Sequence, residues 1–236
     1  MNTLSVDRKR NYQKELEKLL EKEKPGKRLL LHSCCAPCSS YVLVYLRQFF
    51  RITVFYYNPN ITFQEEYKKR VEEQKRLIEA LNAELDGMCA AGQNDAPGAE
   101  AAQGFPIEVL EGDYEPERFL EAARGLEKCP EGGERCEKCF ALRLSESAKQ
   151  AKAGGYDYFT TTLTISPLKN AKKLNEIGEQ MAQKYEVTFL PSDFKKKEGY
   201  KQSIELSKKY ELYRQDYCGC VFSKAERDMR LKTENE

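Results

Sequence analysis

The sequence predicts an α/β protein with a parallel sheet covered by helices on both faces. Three observations carry this reading. Short apolar runs alternate along the chain with longer segments of helical character. The short runs are apolar throughout, as strands buried on both faces are, and lack the in-out alternation of a half-exposed sheet. The chain has 236 residues, 40% of them hydrophobic and few of them Gly or Pro, enough for one sizeable core.

The elements follow in order. The opening MNTLSVDRKRNYQKELEKLL reads as an amphipathic helix with Tyr12, Leu16, Leu19 and Leu20 on one face. Residues 28–33 (RLLLHS) form a buried strand, residues 39–50 a mostly apolar helix, and residues 52–57 (ITVFYY) a second strand ended by Asn58-Pro59-Asn60. Thr62 and Glu65 are placed as a capping box for a helix carrying Tyr67, Val71, Ile78 and Leu81. Residues 86–104 (DGMCAAGQNDAPGAEAAQG) are small, polar and unpatterned, and are expected to be an exposed loop insertion. Cys89 within it is expected to be an ordinary surface thiol.

Residues 106–110 make a third strand, and residues 115–126 a helix with Phe119, Ala122, Ala123 and Leu126 inward. A helix over 140–153 is stopped by Gly154-Gly155, and a strand follows over 156–163. Ser166-Pro167 are expected to open a helix as N-cap and first-turn proline. Residues 187–190 form the fifth strand and residues 200–214 the last helix. No repeat is visible, so residues 1–236 are expected to form one domain, with 215–236 as a C-terminal segment.

Composition narrows the function. Basic and acidic residues number 39 and 38, so net charge names no partner. No apolar run approaches the ~18 residues of a membrane span, and the N-terminus lacks the apolar core of a signal peptide. A cytoplasmic protein without a membrane partner is expected. Nine cysteines are the unusual feature. In a reducing compartment clustered thiols point to metal or redox chemistry, and an odd number argues against full disulfide pairing. His32 is the only histidine, which excludes a His-rich metal site.

Seven of the cysteines fall in three groups: Cys34, Cys35 and Cys38 after the first strand; Cys136 and Cys139 before a helix; Cys218 and Cys220 after the last helix. Ligands of open parallel sheets sit at the carboxyl ends of strands, where the first group falls. CxxC spacing lets two sulfurs reach one metal while a turn offers N–H groups to them, and a helix N-terminus favours thiolates. Four cysteines suffice for a closed zinc site. Seven also fit a four-cysteine iron–sulfur cluster plus three ligands for a further metal ion with an open position. Cys129 reads as an idle or packed thiol.

HSCCAPCSS, ERCEKCFALRL, TTTLTISPLKN, PSDFKKKEGY and YRQDYCGCVFS, in this order, resemble the QueH family of epoxyqueuosine reductases over about residues 29–223. The resemblance implies a Rossmann-like fold of the HUP type, a [4Fe–4S] cluster beside a mononuclear iron, and reduction of epoxyqueuosine to queuosine in tRNA, the last step of queuosine biosynthesis. It implies Cys35, Cys136, Cys139 and one of the Cys218/Cys220 pair, assigned to Cys218, as cluster ligands. Cys34, Cys38 and Cys220 are left for the single iron.

No nicotinamide or flavin motif is visible, so an external low-potential electron donor is expected. Asp216 and Tyr217 adjoin the third cysteine group and are the favoured proton donors; His32 is expected to be a packed core residue. Lys169, Lys172, Lys195, Lys196 and Lys197 lie just past predicted strand ends and are expected to neutralise RNA phosphates. Two rivals share some of these features. A tRNA sulfur-transfer enzyme of the ATP-pyrophosphatase type needs a glycine-rich phosphate loop, and Ser33-Cys34-Cys35-Ala36-Pro37 has none. The other is a zinc-stabilised RNA-binding module.

Overall fold

The computed structural model describes residues 10–90 and 104–233. Five strands, β1 (Lys27–His32), β2 (Phe50–Tyr56), β3 (Ile107–Glu111), β4 (Tyr158–Thr161) and β5 (Thr188–Phe189), pair in parallel in the order β3-β2-β1-β4-β5. This is the strand order of a Rossmann-like α/β sheet. The described helices are α1 (Tyr12–Leu20), α2 (Ala36–Leu46), α3 (Gln64–Ala90), α4 (Pro116–Ala122), α5 (Glu134–Ala153), α6 (Ala171–Tyr185), α7 (Gly199–Lys209) and α8 (Val221–Thr233). Among the described residues no helix is long and apolar enough to cross a membrane.

Strand period two divides the core. Leu29 and Leu31 of β1 pack with Leu16 of α1, Val42 and Leu43 of α2, and Leu77, Ile78 and Leu81 of α3. Leu30, between them, joins Ala148 and Ala151 of α5 with Phe159 and Phe189 on the opposite face. Each fully buried Leu contributes about 1.5–3 kcal/mol relative to an exposed one. The apolar strands therefore need helices on both sides, and have them.

Several boundaries differ from the sequence reading. Phe63, not Thr62, offers the first carbonyl of α3, accepting from Tyr67 N–H at 3.0 Å, and the Thr62 hydroxyl has no hydrogen-bond partner. The expected capping box is thus absent. Helix α3 runs on to Ala90, into the stretch expected to be loop. One Gly costs a helix only about 1 kcal/mol and does not end one already propagating. Residues 91–103 of the expected insertion, and the side chain of Cys89, lie outside the described residues.

Helix α5 starts at Glu134, six residues early, because Gly133 opens it and acidic Glu134 and Glu137 suit its first turn. Ser166-Pro167 do not start a helix. A 3-10 turn (Thr162–Ile165) follows β4, and Asn170 caps α6 by accepting from Lys173 N–H at 3.2 Å. Helix α7 ends at Lys209, where Glu211 turns left-handed (φ +50°) and buries Leu212. It is not the last helix, since α8 follows the third cysteine group.

His32 is fully buried on β1. Its Nε2 lies 3.1 Å from the Tyr57 carbonyl, which can only accept, so Nε2 carries the proton; Nδ1 accepts from the Thr161 hydroxyl at 2.9 Å. Burial, helped by the charge of Arg143, pushes its pKa down to about 3. A depressed folded-state pKa gives stability that is present above the unfolded value of ~6.5 and is lost as pH falls towards 3. Between pH 6 and 5 the chain is expected to lose up to about 1.4 kcal/mol per pH unit to this group. Urea midpoints across this range, compared with those of His32→Gln, should show the slope flattened in the variant.

Candidate metal centre

The carboxyl end of β1 opens at the topological switch point, where β1 borders both β2 and β4. The loop there is braced from below. Asn58 Nδ2 donates to the Ser33 carbonyl at 2.8 Å, and the Ser33 and Ser39 hydroxyls both donate to Gln74 Oε1, at 2.7 and 3.0 Å. Cys35 is the N-cap of α2 and Cys38 lies in its first turn. The sulfurs of Cys34, Cys35 and Cys38 all lie within 4.8 Å of one another. Among the described residues this is the one trio of potential metal-ligating atoms so close.

The second pair rides on α5. Cys136 Sγ accepts from Gly132 N–H at 3.3 Å. Cys139 is buried one turn later against Phe119, Ala123 and Cys220. The third pair sits in the turn before α8. Cys220 Sγ accepts from Ser223 N–H at 3.3 Å while its carbonyl accepts from Lys224 N–H at 3.0 Å, so this thiol caps the helix. Gly219 between the pair has φ +117°, and a Cβ there would stand 2.9 Å from Ile61 Cγ1. Its carbonyl accepts from Thr62 N–H at 3.2 Å. Arg70 staples the same turn, with Nη1 3.2 Å from the Cys218 carbonyl, Nη2 3.3 Å from that of Tyr217, and Nε 2.7 Å from Glu66.

Three helix N-termini therefore deliver the thiols. Cys136, Cys139, Cys218 and Cys220 line a cavity of about 100 Å³. Cys34, Cys38 and Cys218 line an adjoining, wider one of about 550 Å³, with Arg70, Lys169, Tyr200 and Tyr217. Cys218, Arg143 and Lys169 stand on both walls. Cys35 lies with Cys34 and Cys38, and Cys220 lines the small cavity with Cys136, Cys139 and Cys218. Cys129 lines neither cavity.

The thiols differ electrostatically. Hydrogen bonds from Cys35 and Cys38, then the charges of Lys169 and Arg143, hold Cys34 well below the usual thiol range. Its thiolate pushes Cys35 up to about 12 and raises Cys38 as well. Burial raises Cys136 and Cys220 and takes Cys139 to about 12. Burial alone would lower Lys169, but Cys218, Cys34 and Cys38 more than offset it and keep it charged.

The other expected residues separate. Asp216 lines the wider cavity but is ion-paired with Arg227, whose hydrogen bonds hold its carboxyl below the usual range. An ionised carboxylate is a poor proton donor. Tyr217 lines the same wall, and burial raises its phenol, keeping it protonated. Of the five lysines expected to bind RNA, only Lys169 lines either cavity. Lys172 pairs with Glu176, Lys195 with Asp193 and Lys197 with Glu17; Lys196 is exposed. Sequence reasoning missed Arg70 and Arg143. The available signal for Arg143 was its place one turn after Cys139, a charge set between apolar Phe140 and Leu144.

Comparison with known proteins decides the family. The family model described as epoxyqueuosine reductase QueH matches residues 29–226. The chain belongs to the QueH family. It is 40% identical over 223 residues to the epoxyqueuosine reductase QueH of Streptococcus pyogenes serotype M1, covering 93% of this chain and 80% of that protein. The QueH of Staphylococcus epidermidis is 40% identical over 235 residues, covering 98% and 91%. That of Thermotoga maritima is 33% identical over 202 residues, covering 84% and 91%. Neither the sulfur-transfer reading nor the zinc-module reading is favoured beside these QueH relatives.

Gly219→Ala should strain the turn that carries Cys218 and Cys220. The expected cost is about 1–2 kcal/mol for the left-handed backbone, read as a lower urea midpoint, with faster amide exchange over 216–220.

Proposed function

We propose that this chain is a cytoplasmic iron–sulfur enzyme that removes the epoxide oxygen of epoxyqueuosine in tRNA. The observation that carries the reading is two thiol groups on adjoining cavities that share Cys218. The names of its QueH relatives supply the substrate.

The donor sets suit two different metal groups. Sulfurs on one tetrahedral ion, with bonds of ~2.3 Å, stand about 3.8 Å apart. Cys34, Cys35 and Cys38 meet that demand within their 4.8 Å spread and would hold a single iron. Cys136, Cys139, Cys218 and Cys220 line one cavity and would supply the four thiolates of a [4Fe–4S] cluster. When bound, such groups supply electrons singly and a Lewis acid for the epoxide oxygen.

The chain's own residues do the rest. The wider cavity, about 550 Å³, has the size of a small-molecule site and admits a modified base. Tyr200, partly exposed on its wall, offers a ring for stacking. Lys169 brings positive charge to this cavity, suited to an oxygen that gains negative charge. Tyr217 is the protonated group nearest in kind to the needed acid; Asp216 fixes Arg227 instead. Overall, two electrons and two protons convert the epoxide to an alkene and water, with the electrons drawn from an external low-potential donor. Arg214 and Arg227 at the mouth would meet tRNA phosphates.

Anaerobic purification should give a brown protein with about five irons, four in the cluster and one beside it. Cys139→Ala should bleach it. Cys34→Ala should keep the colour, lose about one iron and abolish turnover of epoxyqueuosine tRNA. A colourless zinc protein, or full turnover by Cys34→Ala, would overturn the reading. Affinity for tRNA should also fall with added salt, with a log–log slope that shrinks by about one for each phosphate-contacting Arg removed; a flat response in filter binding would remove the arginines from the interface.

A further inference from the structure

Arg143 is the residue whose chemistry the fold leaves open. Its side chain is wholly buried on α5, one turn beyond Cys139. Two long hydrogen bonds hold it, Nε to the Cys139 carbonyl at 3.4 Å and Nη1 to Asn58 Oδ1 at 3.3 Å, and both acceptors are neutral. Nη2 has no hydrogen-bond partner, and among the described residues no carboxylate pairs with the guanidinium. The contrast with its neighbours is informative. Arg70 is as buried but pairs with Glu66, and Arg135 pairs with Glu226.

An arginine cannot shed its proton to escape burial. A buried cation without a counter-anion is costly enough that native structures avoid it. The anion therefore has to come from what Arg143 faces. It stands on the wall of the small cavity with Cys136, Cys139, Cys218 and Cys220, and on that of the wider one with Cys34, Cys38 and Cys218. Lys169 shares those walls as a second cation, on the turn before α6, where Cys218, Cys34 and Cys38 keep it charged despite burial. Arg143, carried on a helix and held by two hydrogen bonds, is the one that the fold fixes in place.

Resting on the iron–sulfur reading above, we infer that Arg143 is the built-in counter-cation of the four-thiolate set and a positioning residue that sets its reduction potential. Four thiolates around a cluster leave net negative charge, and reduction adds more. A fixed positive charge in a dry wall favours the more negative state, so it raises the potential and lets a modest donor fill the centre. The guanidinium need not touch substrate to do this.

The test is a redox titration of the anaerobically purified, metal-loaded protein, followed by bleaching of the visible absorption and by the electron paramagnetic resonance of the reduced form. Arg143→Gln should move the midpoint to lower potential. At the wild-type midpoint its reduced-to-oxidised ratio should fall about tenfold, ~59 mV for one electron. Arg143→Lys keeps the charge and should restore most of the shift. Should Arg143→Gln fail to hold the chromophore, Asn58→Asp leaves the guanidinium in place but sets a carboxylate against it, and is expected to lower the midpoint too. An intact chromophore with an unmoved midpoint in either neutralised form overturns the role of Arg143. A wild-type protein that carries no iron chromophore overturns the underlying reading, and the inference with it.

Discussion

Parallel strands all end on the same edge of their sheet, and in this chain that constraint decides where the chemistry can sit. The crossovers return each strand in the same direction, so the loops after β1 and β4 open side by side. Cys34, Cys35 and Cys38 follow β1 directly. The walls around them come from the 162–170 turn after β4, the start of α5, and the turn before α8. Six of the seven grouped thiols line the two cavities, and the seventh, Cys35, is packed beneath them with its sulfur 3.7 Å from that of Cys34. Residues far apart in sequence meet because the sheet leaves one crevice for all of them.

That crevice is built around positive charge. Arg70, Arg135 and Arg143 are each nearly or wholly buried beside it. Two of them spend their donors on loop carbonyls: Arg70 on Tyr217 and Cys218, Arg135 on Leu126, Glu127 and Cys129. Such bonds fix the turns that carry thiols or flank them, which short loops without regular structure could not do alone. Helix N-termini add partial positive charge at Cys35, Cys136 and Cys220. The field at the site thus favours anions from several directions at once, and thiolates are the anions the chain supplies.

Much of this was legible in the sequence. The five strands were plain because runs such as RLLLHS and ITVFYY are apolar on both faces. The three thiol groups were plain because cysteines are few elsewhere. What was not legible depends on proximity. Spacing along the chain says that Cys136 and Cys139 act together, but not that Cys220 lies beside Cys139 while Cys35 lies with Cys38. Lysines announce charge but hide their partners, and Glu17, Glu176 and Asp193 were unpredictable neighbours of Lys197, Lys172 and Lys195. Helix α8 escaped notice because it buries little; pairs such as Lys224–Asp228, four residues apart, were its readable sign.

The order of the cysteines along the chain has a consequence for biogenesis. The sheet is complete at Phe189, whereas Cys218 and Cys220 come after it. Synthesis runs from the N-terminus and structured units form as they emerge. All five strands are thus made before the last two grouped thiols. Any metal site that draws on Cys218 and Cys220 can therefore close only once the chain is nearly complete.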